Sequence, residues 1–276
     1  MWQLPVDRPA LMGILNVTPD SFSENGLNFN KSDAIDAAKR MIQEGADILD
    51  VGGESTRPGA APVTVDEELR RVVPVIGAIA GLGAPISIDT RKALVARAAL
   101  DAGASIVNDV TALKDPSMVE VCAGAECFVC LMHMKGEPQT MQKDPVYDDV
   151  VAEVKAYLLD RADSVEKAGI SKERIWLDPG IGFGKTALHN FLLLNSLSVL
   201  VECGYPVLVG VSRKSFVGAA TGAPADRRLA GSIAAQVLAQ SSGVKVVRAH
   251  DVAEARQAID VAAAILKPSS FSKHPA

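Results

Sequence analysis

Eight short β-rich runs, each closed by polar or glycine residues and followed by a helix-patterned stretch, predict an α/β fold. Specifically, they predict one (β/α)8 TIM barrel domain spanning residues 1–276. The length agrees, because such barrels use about 250 residues as a single domain whereas open doubly wound sheets have fewer strands. So does the near-continuous apolar character of most runs, which is expected of parallel strands covered on both faces.

The first run is LMGILNV (11–17); beyond a polar loop, Ser32 can cap a helix with Ile35, Ala38, Met41 and Ile42 on one face and Gly45 as a stop. The second, ADILDVG (46–52), leads to a capping box of Thr64 and Glu67 ahead of Leu69, Val72, Val73 and Ile76. PISIDT (85–90), ASIVND (104–109) and CFVCLMH (127–133) are the third, fourth and fifth runs. From Asp148 a helix carries Val151, Val154, Leu158 and Val165 and ends before Gly169. RIWLDPG (174–180), PVLVGVS (206–212) and VKVVRAH (244–250) complete the set, with helices expected from Arg227 to about Gln240 and from Val252 to Leu266.

Composition narrows the function. A formal net charge of -5 argues against a nucleic-acid surface, which is built from clustered Lys and Arg. There is no run of 18 apolar residues, and MWQLPVDRPA at the start lacks a basic segment followed by an apolar one, so the expectation is a cytoplasmic protein without membrane contact. The four cysteines suit a reducing compartment. Cys122, Cys127 and Cys130 have C-x4-C-x2-C spacing, but strand alternation sends Cys127 and Cys130 to opposite faces, which favours small buried residues over an iron–sulfur set.

One string invites a different reading. DPGIGFGKT (178–186) ends like a phosphate-binding P-loop, G-x-x-x-x-G-K-[ST], yet the position of its first glycine is Pro179. Proline has a fixed φ and no N–H, so it cannot supply that turn. Lys185 and Thr186 then read as ordinary loop residues.

In a (β/α)8 barrel the site lies at the carboxyl ends of the strands. Applied strand by strand, that rule gathers Asn16; Glu54, Thr56 and Arg57; Asp89 and Arg91; Asn108 and Asp109; His133; Asp178; Ser212, Arg213 and Lys214; and Arg248 with His250. Singly, each has a structural use: Asn108 in a turn, Asp89 paired with Arg91, His133 as a satisfied rim histidine. Together they form a polar cup that calls for a ligand. Arg57, Lys214, Arg248 and His250 suit a multiply charged anion, and Asp89, Asn108 and Asp178 suit the edge of a planar heterocycle.

The motifs NVTPDSFS (16–23), GGESTRPGA (52–60), IDTRK (88–92), VNDV (107–110), LMHMKG (131–136), DPGIGFGK (178–185), GVSRKSF (210–216) and RAHD (248–251) resemble, in order, those of the dihydropteroate synthase family of pterin-binding enzymes. The resemblance implies folate biosynthesis: 6-hydroxymethyl-7,8-dihydropterin pyrophosphate condenses with 4-aminobenzoate, releasing pyrophosphate, with Mg2+ assisting. It also implies a homodimer and a sulfonamide target. By the same resemblance Asp178, Asn108, Asp89 and Lys214 take the pterin, Arg248, His250 and Asn16 the pyrophosphate, with Asn16 also reaching the metal. Phe22, Thr56, Arg57, Pro58, Phe183 and Ser215 take the aminobenzoate. Asp89, Lys214, Arg248 and His250 are the catalytic group. The loops 17–31 and 53–64 would close over the site as a lid. Where the family commonly has D-G-G after DSFS, this chain has Glu24-Asn25-Gly26, which bears on the shape of the first of those loops. Rival readings are a corrinoid-dependent methyltransferase, a Schiff-base aldolase using Lys214, and a non-catalytic pterin binder.

Overall fold

A computed structural model describes residues 2–18, 31–55, 60–137 and 139–271. In chain order the elements are β1 (Ala10–Asn16), α1 (Lys31–Gln43), β2 (Ile48–Gly52), α2 (Val65–Ile79), β3 (Ile86–Asp89), α3 (Ala93–Asp101), β4 (Ile106–Asp109), α4 (Pro116–Ala125), β5 (Phe128–Met132), α5 (Val150–Lys167), β6 (Ile175–Asp178), α6 (Ala187–Asn195), α7 (Leu197–Val201), β7 (Leu208–Gly210), α8 (Ser215–Thr221), α9 (Leu229–Ser241), β8 (Val246–Ala249) and α10 (Val252–Leu266). The strands run parallel in the order β6-β5-β4-β3-β2-β1-β8-β7. A bridge between Leu177 and Val207 joins β6 to the approach of β7, so the barrel is nearly closed. Each of the eight expected runs contains a strand. β1 matches its run in length but begins one residue earlier, and the other seven strands are shorter than their runs.

Strand alternation sorts the side chains into two apolar layers and one polar one. Leu11, Leu49, Val51, Ile88, Val107, Val129 and Leu177 point outward and pack with the helices. Ala10, Met12, Ile48, Ile106, Cys130, Trp176, Leu208 and Val246 point inward and fill the lower barrel as one buried cluster. Below them Trp2 and Phe128 lie against Trp176, with ring centroids 6.5 and 5.6 Å away. Because the side-chain period of a strand is two, the residues two places on from this cluster face the same interior one layer higher. Outside the cluster itself they are Asp50, Asn108, Asp178, Gly210 and Arg248, together with the apolar Ile14 and Met132. The polar ring is therefore a consequence of register: each of these residues is set at the height where its strand leaves the apolar plug.

The cysteines behave as the alternation predicts. Cys127 and Cys122 belong to the outer cluster and Cys130 to the inner one, and all four thiols are free.

Helix ends differ in detail from the expectation. The Thr64 hydroxyl accepts from the Glu67 N–H at 3.3 Å, but the Glu67 carboxylate turns to Arg70 and Arg71 at 2.8 and 2.7 Å, leaving the capping box half made. Two arginines within one turn outcompete a single backbone N–H for the carboxylate. α5 begins at Val150, two residues later than expected, and is capped by Asp149, which accepts from Val151 and Ala152 N–H at 3.0 Å each. Ser32 sits inside the first turn of α1 instead of ahead of it. Gly45 and Gly169 do stop α1 and α5, at φ +98° and +101°.

Candidate active site

The upper layer of the barrel is held by one arginine and two carboxylates. Arg248 donates from Nε to Asp50 Oδ2 at 2.6 Å and from Nη2 to Asp89 Oδ2 at 2.8 Å. Asn108 Nδ2 donates to the same Asp50 oxygen at 3.3 Å. Asp50 is fully buried, and among the described residues its Oδ1 has no hydrogen-bond partner. A buried carboxylate oxygen left in this way costs stability until a donor reaches it, so this layer is incomplete without a further N–H or O–H. Burial pushes the Asp89 carboxyl up to about 7, with Arg248 opposing the shift. Burial also works against the Arg248 charge, but Asp50 and Asp89 outweigh it and hold the guanidinium above its usual range.

This arrangement corrects two sequence expectations. Asp89 pairs with Arg248, while Arg91 goes instead to Glu54 at 3.2 Å. Glu54 also meets Lys92, which in turn meets the fully buried Glu68, so the cations after β3 brace the root of the second loop. Asn108 is not a turn residue but a partner of Asp50.

Across the barrel, Asp178 ends β6 and is buried. Its Oδ1 accepts from the Gly180 N–H at 2.7 Å. Burial raises its carboxyl above the ordinary value, and Lys214, the Gly180 N–H, Lys185 and Arg248 pull the other way. Lys214, just before α8, donates to the Ile181 carbonyl and lies 4.8 Å from the centre of the Phe183 ring. Burial lowers its ammonium to about 8, opposed by Asp178. Beside it Phe183 packs on an apolar wall of Val110, Met132, Met134 and Met141. The mouth thus offers a carboxylate, an amide and an ammonium beside an apolar wall, the donor–acceptor pattern for a flat heterocycle.

The loop after Asp178 is shaped by glycines. Gly180 and Gly184 have φ of +65° and +61°, and a Cβ on either would collide with a carbonyl oxygen, of His133 or Lys135 respectively. Gly184→Ala is expected to destabilise the protein by about 1–3 kcal/mol, the range for a non-glycine residue forced into such a conformation. Urea unfolding measures this; a loss under about 0.5 kcal/mol would show that the loop adapts at no cost.

Lys185 is not the ordinary loop residue its sequence context suggested. It is 3% exposed, and its ammonium donates to the carbonyls of Gly180 and Phe183 at 3.0 Å each and of His133 at 3.3 Å, with His133 Nδ1 at 2.9 Å. Burial lowers its pKa to about 7, opposed by Asp178. His133 is accordingly a buried rim histidine, pushed down to about 3 by burial and by Lys185. Thr186 caps α6, its hydroxyl accepting from the His189 N–H at 3.2 Å.

Asn16 ends β1, beside Gly52 of β2. A Cβ on Gly52 would lie 3.8 Å from Asp89 Oδ2 and 3.9 Å from Asn16 Oδ1, so those two oxygens converge over a glycine. His250 follows β8 with its Nδ1 3.1 Å from Ser212 Oγ. Ser215 opens α8 and is exposed at the rim. Asp89, Asn108, Asp178, Phe183, Lys214, Ser215, Arg248, His250 and Asn16 are thus all at the carboxyl end of the barrel. Phe22, Thr56, Arg57, Pro58 and the Glu24-Asn25-Gly26 departure lie outside the described residues, as does most of the proposed lid. Asp50 and Lys185 are the two site residues that sequence reasoning passed over.

Comparisons with known proteins place the whole chain in one family. Residues 12–250 match the family model of the pterin binding enzymes. Dihydropteroate synthase of Escherichia coli K12 is 48% identical over 272 residues, covering 98% of this chain and 96% of that one. The Yersinia pestis dihydropteroate synthase, solved with a sulfonamide drug, superposes with a TM-score of 0.91 at 44% identity, covering 96% of each chain. The Xanthomonas albilineans dihydropteroate synthase in complex with 7,8-dihydropteroate does so with a TM-score of 0.86 at 44% identity, covering 99% of this chain and 97% of that one.

Proposed function

The chain belongs to the dihydropteroate synthases of the pterin-binding enzyme family, and from that premise we propose how its own residues divide the work. It is a transferase of folate biosynthesis: 6-hydroxymethyl-7,8-dihydropterin pyrophosphate and 4-aminobenzoate give 7,8-dihydropteroate and pyrophosphate. The observation that carries the assignment of roles is the grouping of Asp178, Asn108 and Lys214 at the carboxyl end of the barrel beside the apolar wall of Phe183, Met132 and Met134.

In this reading the ionised Asp178 accepts two parallel N–H bonds from the pterin's amino and ring edge, which fixes the ring plane. Asn108 and Lys214 complete the edge, and the Asp50 Oδ1, without a partner among the described residues, gives the same layer a further acceptor. The C–O bond to pyrophosphate breaks first, because the amine of 4-aminobenzoate is a weak nucleophile. Positive charge then grows on the pterin methylene, where Asp89 stabilises it, and negative charge on the leaving group, which Arg248 and His250 receive. The amine nitrogen attacks the methylene carbon and loses its proton, giving dihydropteroate. The aminobenzoate lies toward Phe183 and Ser215, with Phe22, Thr56, Arg57 and Pro58 on its other side. By likeness to the Yersinia pestis complex, the enzyme also binds a sulfonamide drug.

Magnesium fits this site as an ion carried chiefly by the substrate. Among the described residues there is no cluster of three acidic, histidine or cysteine side chains to hold one, and Asn16 supplies an amide oxygen of the hard type it takes. Bound there, it would neutralise charge on the departing pyrophosphate.

We place the enzyme in the cytoplasm, supported by its free cysteines and by the absence, among the described residues, of a helix long and apolar enough to cross a membrane. We also propose a homodimer through α9 and α10. These helices frame an apolar groove of about 850 Å³ lined by Leu229, Ile233, Val237, Val261 and Ile265, with Val261 57% and Ile265 72% exposed. Val261→Glu is expected to sediment as a monomer where the parent is a dimer; a dimeric variant would place the contact elsewhere.

Turnover tests the whole reading. Radiolabelled 4-aminobenzoate should enter a pterin product only when pterin pyrophosphate and Mg2+ are both present, and folded protein that fails to do so would refute it.

A further inference from the structure

The buried ammonium of Lys185 has no part in the reaction as derived, and its surroundings give it one. It lies behind the Asp178 loop with carbonyl oxygens from both sides converging on it: Gly180 and Phe183 from the loop, and His133 from the end of β5. The three ammonium protons face four acceptors, those carbonyls and His133 Nδ1, so the cation is fully engaged and shut off from solvent. The same loop presents its other polar groups outward. The Gly180 N–H holds Asp178 Oδ1, the Ile181 carbonyl receives Lys214, and the Gly182 N–H and carbonyl meet Asn190 Oδ1 at 2.7 Å and Gln142 Nε2 at 2.5 Å.

We infer that Lys185 is a positioning residue for the pterin site. It gathers the carbonyls of residues 180 and 183 inward, so that the Gly180 N–H faces Asp178, the Ile181 carbonyl faces Lys214, and the Phe183 ring stands beside Lys214. A loop of five residues with three glycines at positive φ has no rigidity of its own, and a central cation supplies it. Without that cation, buried carbonyl oxygens are left unsatisfied, and the loop relaxes toward water by turning them outward. Lys185 touches no reacting atom in this scheme. Its effect passes through Asp178, Lys214 and Phe183, and falls on pterin recognition rather than on the pyrophosphate side, where Asn16 and His250 are carried by β1 and the end of β8.

The inference rests on Asp178 being the pterin carboxylate, and the test separates the two. Calorimetry with 6-hydroxymethylpterin and, separately, with pyrophosphate and Mg2+ is run on the parent, Lys185→Met, Lys185→Arg and Asp178→Asn. Lys185→Met keeps the length and removes the donors; Lys185→Arg keeps the charge but brings a planar fork that does not match converging carbonyls. Expected for both Lys185 variants is a loss of pterin affinity of at least about tenfold with pyrophosphate affinity within about twofold, the loss being greater for Met. Pterin affinity within twofold of the parent in Lys185→Met overturns the inference, and so do equal losses for both ligands. Loss of the folded circular dichroism spectrum in both variants also overturns it, because Lys185 is then a residue of the fold. If Asp178→Asn binds pterin as the parent does, the reading of the site itself fails instead.

Discussion

Arg248→Met is expected to lower both stability and activity sharply, since one guanidinium compensates Asp50 and Asp89 together. Removing it leaves two carboxylates facing each other in the upper barrel, one of them fully buried. Orphaning a buried charge costs about 3–5 kcal/mol, and the low end applies because 21% of the Arg248 side chain is exposed. The cost should depend on pH with a definite sign. Burial raises the folded-state pKa of Asp89 to about 7, above its ordinary carboxylate value, so this group favours the folded state below its unfolded pKa and loses that contribution as pH rises toward 7. Without Arg248 the carboxyl is held higher still. The stability gap between parent and variant, read from urea unfolding, should therefore be wider at about pH 8 than at about pH 5. A gap that is the same at both, or under about 1 kcal/mol, would mean that Arg248 is not neutralising the pair. Turnover should fall at least about a thousandfold, because the leaving-group side loses its cation while Asp89 loses the partner that keeps it ionised.

That pairing also marks the boundary of what the sequence discloses. The strands are legible because each is a local apolar run, and the site residues because barrel chemistry collects where those runs end. Asn16, Asp89, Asn108, Asp178, Lys214, Arg248 and His250 can all be read from that rule alone. Which residue pairs with which is not local. Asp89 is two residues from Arg91 but bonds Arg248, 159 positions away, because barrel closure brings β8 beside β1 and sets Arg248 pointing inward at the same level. Asp50 escaped notice because it stands inside ILDVG, two residues before the strand ends, where an isolated acid looks like an interruption of an apolar run. Its parity with Ile48 was the available signal, since any residue two along from an inward apolar one also points inward. Lys185 closes the string that fails as a P-loop at Pro179. Its use became visible only when β5 was seen to end against the same loop, for a lysine after glycines reads the same whether its ammonium is in water or under three carbonyls.

The sharper test of function is Asp178→Asn. The fold should survive it, because the asparagine Oδ1 can still accept from the Gly180 N–H as the carboxylate does at 2.7 Å. Recognition should not. Two hydrogen bonds from the pterin to a charged acceptor are together about 3–6 kcal/mol, and in the variant one of them becomes an N–H facing an N–H. Pterin affinity should therefore fall at least about a hundredfold, while the KM for 4-aminobenzoate changes little. The parent should also bind pterin less well as pH falls, and at a higher pH than an exposed carboxylate would, because burial raises the Asp178 pKa and only the ionised form accepts both bonds. The variant has no such carboxyl and should show a flatter profile. Calorimetry with 6-hydroxymethylpterin between about pH 5 and 8 reads both effects, a window that spans ordinary and raised carboxylate values. Unchanged affinity, or an acid-side fall that persists in the asparagine variant, would take pterin recognition away from Asp178 and leave the end of β6 a structural turn.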